Sequence, residues 1–294
     1  MEGRWSARSG LGEIDHMTIP GRPPRLLFID SGLGGLTVLR AARQAIPEAD
    51  IRFIADDAGF PYGTMIEPLL IDRLLHLVEN ALQDFAADSI VLACNTASTV
   101  ALTFLRESFP LPVVGTVPAI KPAAALTRSG LVSVLATPGT VAREYTRTLI
   151  EKFGNGARFT LAGAPELAKL AEAYASGAAV DDAAISHEIA PCFIEDGGKR
   201  TDVVVLGCTH YPLLIDKLDE LAPWPVAWLD PAPAIARRIA NVLADGGHIV
   251  GVGAKRGSGE IQFTSGRLPS PALAALLQSL NLTLSLPSEA AFAA

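Results

Sequence analysis

Short apolar runs alternate along this chain with longer stretches in which apolar residues return every three or four positions. The runs RLLFID (25–30), IRFIAD (51–56), 89–94 within SIVLACNTAS and PVVGT (112–116) read as buried parallel strands. Between them, GLGGLTVLRAARQAI (32–46) places Leu36, Leu39 and Ala42 on one helix face. LLIDRLLHLVENALQDF (69–85) and TASTVALTFLRESF (96–109) supply two further helices, and FPYGT (60–64) reads as a loop. The order β-α-β-α-β-α with short links predicts an α/β fold with a doubly wound parallel sheet. From Leu131 the pattern starts again, with strands near 158–163 and 202–207, and the segment from Ile235 is expected to return to the first unit.

The second start is a duplication. SIVLACNTAS (89–98) and DVVVLGCTHYP (202–212) each end a β-branched run in a lone cysteine followed by polar residues. Pro112 and Pro225, and the Pro-Ala-Ile segments 118–120 and 233–235, follow Cys94 and Cys208 at nearly equal distances. Each half opens on a strand that runs into a glycine-bearing turn, at 25–35 and 131–140. A repeat of this length, too long for a solenoid, predicts two similar doubly wound lobes related by a pseudo-twofold axis, with the site in the cleft between them. The expected division is a flexible tail at 1–24, a first lobe of 25–117 plus about 228–294, and a second lobe of 118–227. Open parallel sheets place ligands at the carboxyl ends of their strands, where both cysteines fall.

Composition narrows the chemistry. The chain has 294 residues, 49% hydrophobic and 19% charged, enough for two packed cores. Its net charge of −7 and the absence of a basic run argue against nucleic acid. No apolar stretch reaches the length of a membrane span, so no membrane partner is expected. Residues 1–24 lack the apolar core of a signal peptide, and Met17 is a candidate start. The three cysteines match neither a zinc site nor a CxxC pair; they fit a reducing, cytoplasmic setting with free thiols and no metal.

A thiol works as base or nucleophile only as thiolate, which helix N-termini and cationic neighbours favour. Cys94 and Cys208 stand where strands give way to expected helix starts, followed by Asn95-Thr96 and Thr209-His210, a set of donors suited to a carboxylate. Asp30-Ser31 and Tyr62-Gly63 lie at corresponding strand ends of the first lobe and should border the same crevice, which suits a small diacid. Cys192 reads as a small buried hydrophobe. GLGGL lacks the dinucleotide-binding spacing. His16, His76, His187 and His248 have no partner motif. Asp30 as a helix cap, His210 as a polar cap and Glu172 on a solvated face are the bland alternatives.

The motifs FIDSGLGGL (28–36), FPYGT (60–64), LACNTAST (92–99), VVGTVPAIKPAA (113–124), LATPGT (135–140), LAKLAE (167–172) and VLGCTHYPLL (205–214), in this order, resemble the glutamate racemases, cofactor-independent enzymes that supply D-glutamate to bacterial peptidoglycan. The resemblance implies a two-base isomerase without cofactor, in which Cys94 serves D-glutamate and Cys208 L-glutamate. It makes Asp30 the partner of Cys94, and Glu172 and His210 the partners of Cys208. Asp30, Ser31, Tyr62, Gly63, Asn95, Thr96, Thr209 and His210 would line the substrate site. Many relatives have Cys-Pro where this chain has Ala164-Pro165, and Asp-Ser-Gly where it has Asp230-Pro231-Ala232. A peptidoglycan-precursor effector and a homodimer are within what the resemblance implies. Aspartate racemase, another thiol-dependent diacid isomerase, and an amino-acid-binding protein without chemistry are the alternatives.

Overall fold

The computed structural model describes residues 22–251 and 256–286. Of the tail expected at 1–24, residues 1–21 lie outside the described residues, while Arg22 pairs with Asp88 at 2.6 Å. Two parallel sheets organise the chain. The first contains β1 (Arg25–Asp30), β2 (Asp50–Ala55), β3 (Ser89–Leu92), β4 (Val113–Gly115), β11 (Gly259–Phe263) and β12 (Thr283–Leu284), in the order β12-β11-β2-β1-β3-β4. The second contains β5 (Leu131–Ala136), β6 (Arg158–Gly163), β9 (Val203–Leu206) and β10 (Ala227–Leu229), in the order β10-β9-β5-β6. A small antiparallel hairpin, β7 (Glu195–Asp196) with β8 (Lys199–Arg200), stands apart from both.

Alternation along β1 shows why each sheet needs helices on both faces. Leu26 and Phe28 enter a core with the helices Leu36–Ala45, Ala232–Asp245 and Pro271–Ser279, whereas Leu27 and Ile29 enter another with Glu67–Leu82 and Asn95–Ser108. The second sheet repeats the arrangement: Val204 and Leu206 face the helices Leu167–Ala175 and Asp182–Ile189, and Val203 and Val205 face Ile120–Leu126 and Glu144–Phe153. Ile235, Ile239 and Leu243, at helical spacing, carry the chain back onto the first sheet.

The strand order reverses at β1/β3 in the first sheet and at β5/β9 in the second. Each reversal opens a crevice at the strand carboxyl ends, because the two crossover connections leave in opposite directions. Ile29 pairs with Leu92 and Leu135 with Leu206, so Cys94 and Cys208 follow the last paired residues at equivalent places. The duplication read from the sequence is thus a duplication of switch points.

Candidate active site

The helix expected from Gly32 begins at Leu36, because the turn before it is wound around a carboxylate. Asp30 Oδ2 accepts the Gly32 and Gly35 N–H groups at 3.2 and 3.0 Å. Its Oδ1 is buried and has no hydrogen-bond partner. Burial raises the Asp30 carboxyl above its ordinary value against the opposing pull of the His210 charge and the Gly35 N–H. Gly35 is required here: an added Cβ would stand 2.8 Å from the Asp30 Cβ.

Cys94 ends the extended backbone, and the helix Asn95–Ser108 starts with the next residue. Its sulfur lies 4.0 Å from Ser31 Oγ. Burial lifts the thiol well above the ordinary cysteine value and the Asp30 charge adds to this, while the Ala97 N–H and Ser31 favour thiolate. The Cys208 charge also raises it, so the two sulfurs interact electrostatically and double ionisation is disfavoured.

On the other side, Cys208 is followed by a 3₁₀ turn, Tyr211–Leu214, before the helix Ile215–Leu221. The expected helix start is therefore delayed at this cysteine. Pro212 in the first turn has no N–H to offer, and Tyr211 N–H closes on the Cys208 carbonyl at 3.2 Å. His210 Nδ1 lies 3.9 Å from Cys208 Sγ, and His210 Nε2 lies 3.0 Å from Glu172 Oε2. Burial opposes a charged His210, but Cys208, Glu172 and Asp30 outweigh it and hold the imidazole well above its ordinary value. Burial likewise opposes a charged Glu172; its bond and charge interaction with His210, the Leu33 N–H and Arg267 nevertheless bring it below the usual carboxylate range. Gly34 leaves room for the imidazole, since a Cβ there would fall 2.4 Å from Nδ1.

Contacts across the crevice bring the two halves together. Asn95 Nδ2 donates to the Gly207 carbonyl at 2.7 Å, and its Oδ1 is buried without a partner. The Thr96 and Thr137 hydroxyls are 3.3 Å apart. Thr209 Oγ1 is another buried atom without a hydrogen-bond partner, while the Thr209 carbonyl accepts from Thr37 at 3.2 Å. Tyr62 is buried in the same cluster as Cys94 and donates its hydroxyl to Asp56 at 2.6 Å. The Gly63 backbone lies beside Thr137 and Gly139 of the second lobe.

All eleven positions picked out in the sequence thus lie at or beside the facing strand ends. Cys192 is packed in the second lobe's core, and burial pushes its thiol up to about 12. Four contributors were missed. Arg73 and Asp56 brace Tyr62, Phe60 lies over His210 with ring centroids 5.4 Å apart, and Arg267 donates to Glu172 Oε1 at 2.8 Å. Only Asp56, at a strand's carboxyl end, carried a positional signal. Among the described residues no group of three or more His, Cys, Asp or Glu side chains could hold a metal, and no helix is long and apolar enough to cross a membrane.

Paired thiols at equivalent switch points of two parallel sheets define a two-lobed α/β isomerase. The chain belongs to the Asp/Glu/Hydantoin racemase family, whose sequence model matches residues 37–239. It is 50% identical over 267 residues to the glutamate racemase of Brucella ovis, covering 90% of this chain and 94% of that one. With the glutamate racemase of Agrobacterium fabrum it shares 51% identity over 264 residues, 88% and 94% of the two chains. The crystal structure of Escherichia coli glutamate racemase in complex with L-glutamate and the activator UDP-MurNAc-Ala superposes with a TM-score of 0.79 at 37% identity, covering 90% of this chain and 97% of that one.

Proposed function

We propose that this chain interconverts L- and D-glutamate without a cofactor, by proton transfer between two thiols on opposite faces of the substrate, and so supplies D-glutamate for peptidoglycan. The observation that carries this reading is the equivalence of Cys94 and Cys208 at the β3 and β9 ends, each with its own acid–base partners. Cys208, as thiolate, takes the α-proton of L-glutamate; Cys94, as thiol, gives its proton to the other face and becomes thiolate. The reverse passage starts from D-glutamate. One net charge on the sulfur pair is the protonation state this transfer requires, and electrostatic repulsion between the thiolates favours it.

The unpartnered polar atoms support an amino-acid substrate. Asp30 Oδ1 and Asn95 Oδ1 are acceptors that suit an α-ammonium, and the Thr209 hydroxyl suits a carboxylate oxygen. Backbone N–H groups where the Asn95 helix begins would stabilise the charge that develops on the α-carboxylate as the proton leaves. In this reading Ser31, Gly63, Thr96 and the Tyr62 loop shape the site, Asp30 serves Cys94, and His210 with Glu172 serves Cys208. The named relatives support glutamate over aspartate. The activator bound to the Escherichia coli enzyme supports a UDP-linked peptidoglycan precursor as effector here.

The test is loss of optical activity by L-glutamate with purified protein, without pyridoxal phosphate, flavin or added metal, repeated with L-aspartate and with the precursor. Faster turnover of aspartate would move the assignment to aspartate racemase. Binding of glutamate with no change in optical activity would leave the binding-protein alternative.

A further inference from the structure

The Cys208 half of the crevice is connected to a residue distant in the chain. Beyond β11, the turn 264–267 brings the Arg267 guanidinium to 4.7 Å from the Phe263 ring centroid. Arg267 Nε lies 3.0 Å from Asp57 Oδ2, and Nη2 donates to Glu172 Oε1 at 2.8 Å. Glu172 Oε2 accepts the Leu33 N–H at 2.9 Å and faces His210 Nε2 at 3.0 Å. The imidazole's other nitrogen faces Cys208 Sγ at 3.9 Å. Asp57, Arg267, Glu172 and His210 therefore form a line of alternating charge that runs from the first sheet's loops into the second lobe and ends on a thiol.

The division of labour at Glu172 makes this more than a surface ion pair. Arg267 is one-third exposed, and such pairs contribute little to stability. The Glu172 side chain, at 13% exposure, gives Oε1 to Arg267 and Oε2 to Leu33 and His210. Holding one oxygen fixes the rotation that aims the other. The groups acting on Cys94 are Asp30, the Ala97 N–H, Cys208 and Ser31, none of them in this line of charge up to His210.

We propose that Arg267 is a positioning residue for proton transfer at Cys208: by holding Glu172 through Oε1 it keeps Oε2 on His210, and so keeps the imidazole directed at the Cys208 sulfur. This rests on the glutamate racemase reading above. Its effect falls mainly on Cys208, because this line reaches the partners of Cys94 only through the Asp30 charge that faces His210 and Glu172. Lysine can replace the charge but not the planar guanidinium that spans Asp57 and Glu172 together.

The experiment follows single-turnover α-proton wash-out from L- and from D-glutamate bound to the full-length chain in heavy water, before product is released, because the equilibrium between enantiomers ties steady-state kcat/KM in the two directions to one ratio. Arg267→Met slows this single-turnover wash-out from L-glutamate about tenfold and from D-glutamate less than about twofold. Arg267→Lys keeps the same bias at about threefold. In a Glu172→Gln background, Arg267→Met adds less than about twofold, because both act through one imidazole. Equal slowing of both enantiomers, or the same tenfold factor in the Glu172→Gln background, overturns the proposal. A wild-type chain that exchanges neither enantiomer overturns the racemase reading beneath it; wild-type exchange with an unaffected Arg267→Met variant removes only the role of Arg267.

Discussion

The Asn95 side-chain amide donates to the Gly207 carbonyl at 2.7 Å, so the residue after one site cysteine grips the residue before the other. This bond joins the two lobes at their strand ends. Removing it from a buried site costs about 1–3 kcal/mol. Asn95→Ala is expected to lower Tm by about 2–4 °C for each kcal/mol lost and to slow α-proton exchange from both enantiomers alike. Thermal unfolding and single-turnover α-proton wash-out on one preparation check this, and a strong bias toward one enantiomer would show that Asn95 belongs to one half of the site.

Of the three thiols, Cys94 and Cys208 are proposed to act and Cys192 packs. Cys94→Ala and Cys208→Ala are each expected to lower racemisation by at least the 10²–10⁴-fold typical of losing a general acid–base group. Cys192, fully buried in the second lobe's core, offers its carbonyl to Ser133 at 2.6 Å and its side chain to packing. Cys192→Ala should retain activity within about twofold while losing stability, as for a small buried hydrophobe. Rates measured on variants with native circular dichroism decide it; full activity in either of the first two would remove the two-thiol mechanism.

Asp30 sets function against stability. Its carboxyl is raised by burial, so the fold favours the protonated form. The contribution to stability is complete below the ordinary unfolded value and is lost as pH rises through the folded one. As pH rises above the ordinary carboxylate range, burying this group therefore becomes a growing cost. Asp30→Asn should raise Tm at pH 7–8, with the gap closing as pH falls toward the ordinary carboxylate value of about 4. In pre-steady-state α-proton wash-out, before product is released, the same variant should slow proton loss from D-glutamate more than from L-glutamate, and His210→Asn should show the opposite bias. A Tm gap independent of pH would mean that Asp30 is not desolvated as its surroundings indicate.

The strands that carry the thiols were legible because they lie in uninterrupted apolar runs, 90–94 and 203–206, that stop at Asn95 and Gly207. The duplication supplied the second constraint, since one cysteine at a strand end means little and two in matching settings define a cleft. Helix starts were less legible. Leu36 begins its helix late because Asp30 ties down Gly32 and Gly35, and that bond is a tertiary fact about a carboxylate. Strand β11 and the edge strand β12 were missed: GEIQF is half polar and Thr283–Leu284 is too short to show a period. With them went Arg267, whose partners Asp57 and Glu172 are brought to it only by the docking of β11 on β2 and the closure of the lobes. The assignment of the Tyr62 hydroxyl to Asp56 was likewise invisible, because an FPYGT loop reads the same whichever way its phenol turns.

The central claim is that protons reach the two faces of the substrate from two different thiols. The most direct test follows the label in heavy water: L-glutamate is supplied, the reaction is stopped at low conversion, and product and residual substrate are separated and analysed at the α-position. The account predicts that D-glutamate carries solvent deuterium in essentially every molecule, because Cys94 delivers a solvent-derived proton while Cys208 holds the one removed. Residual L-glutamate should still carry its original hydrogen, and the pattern should invert when D-glutamate is supplied. Product that retains the substrate's own α-hydrogen would mean that a single group removes and returns the proton, and would contradict the assignment of one thiol to each face.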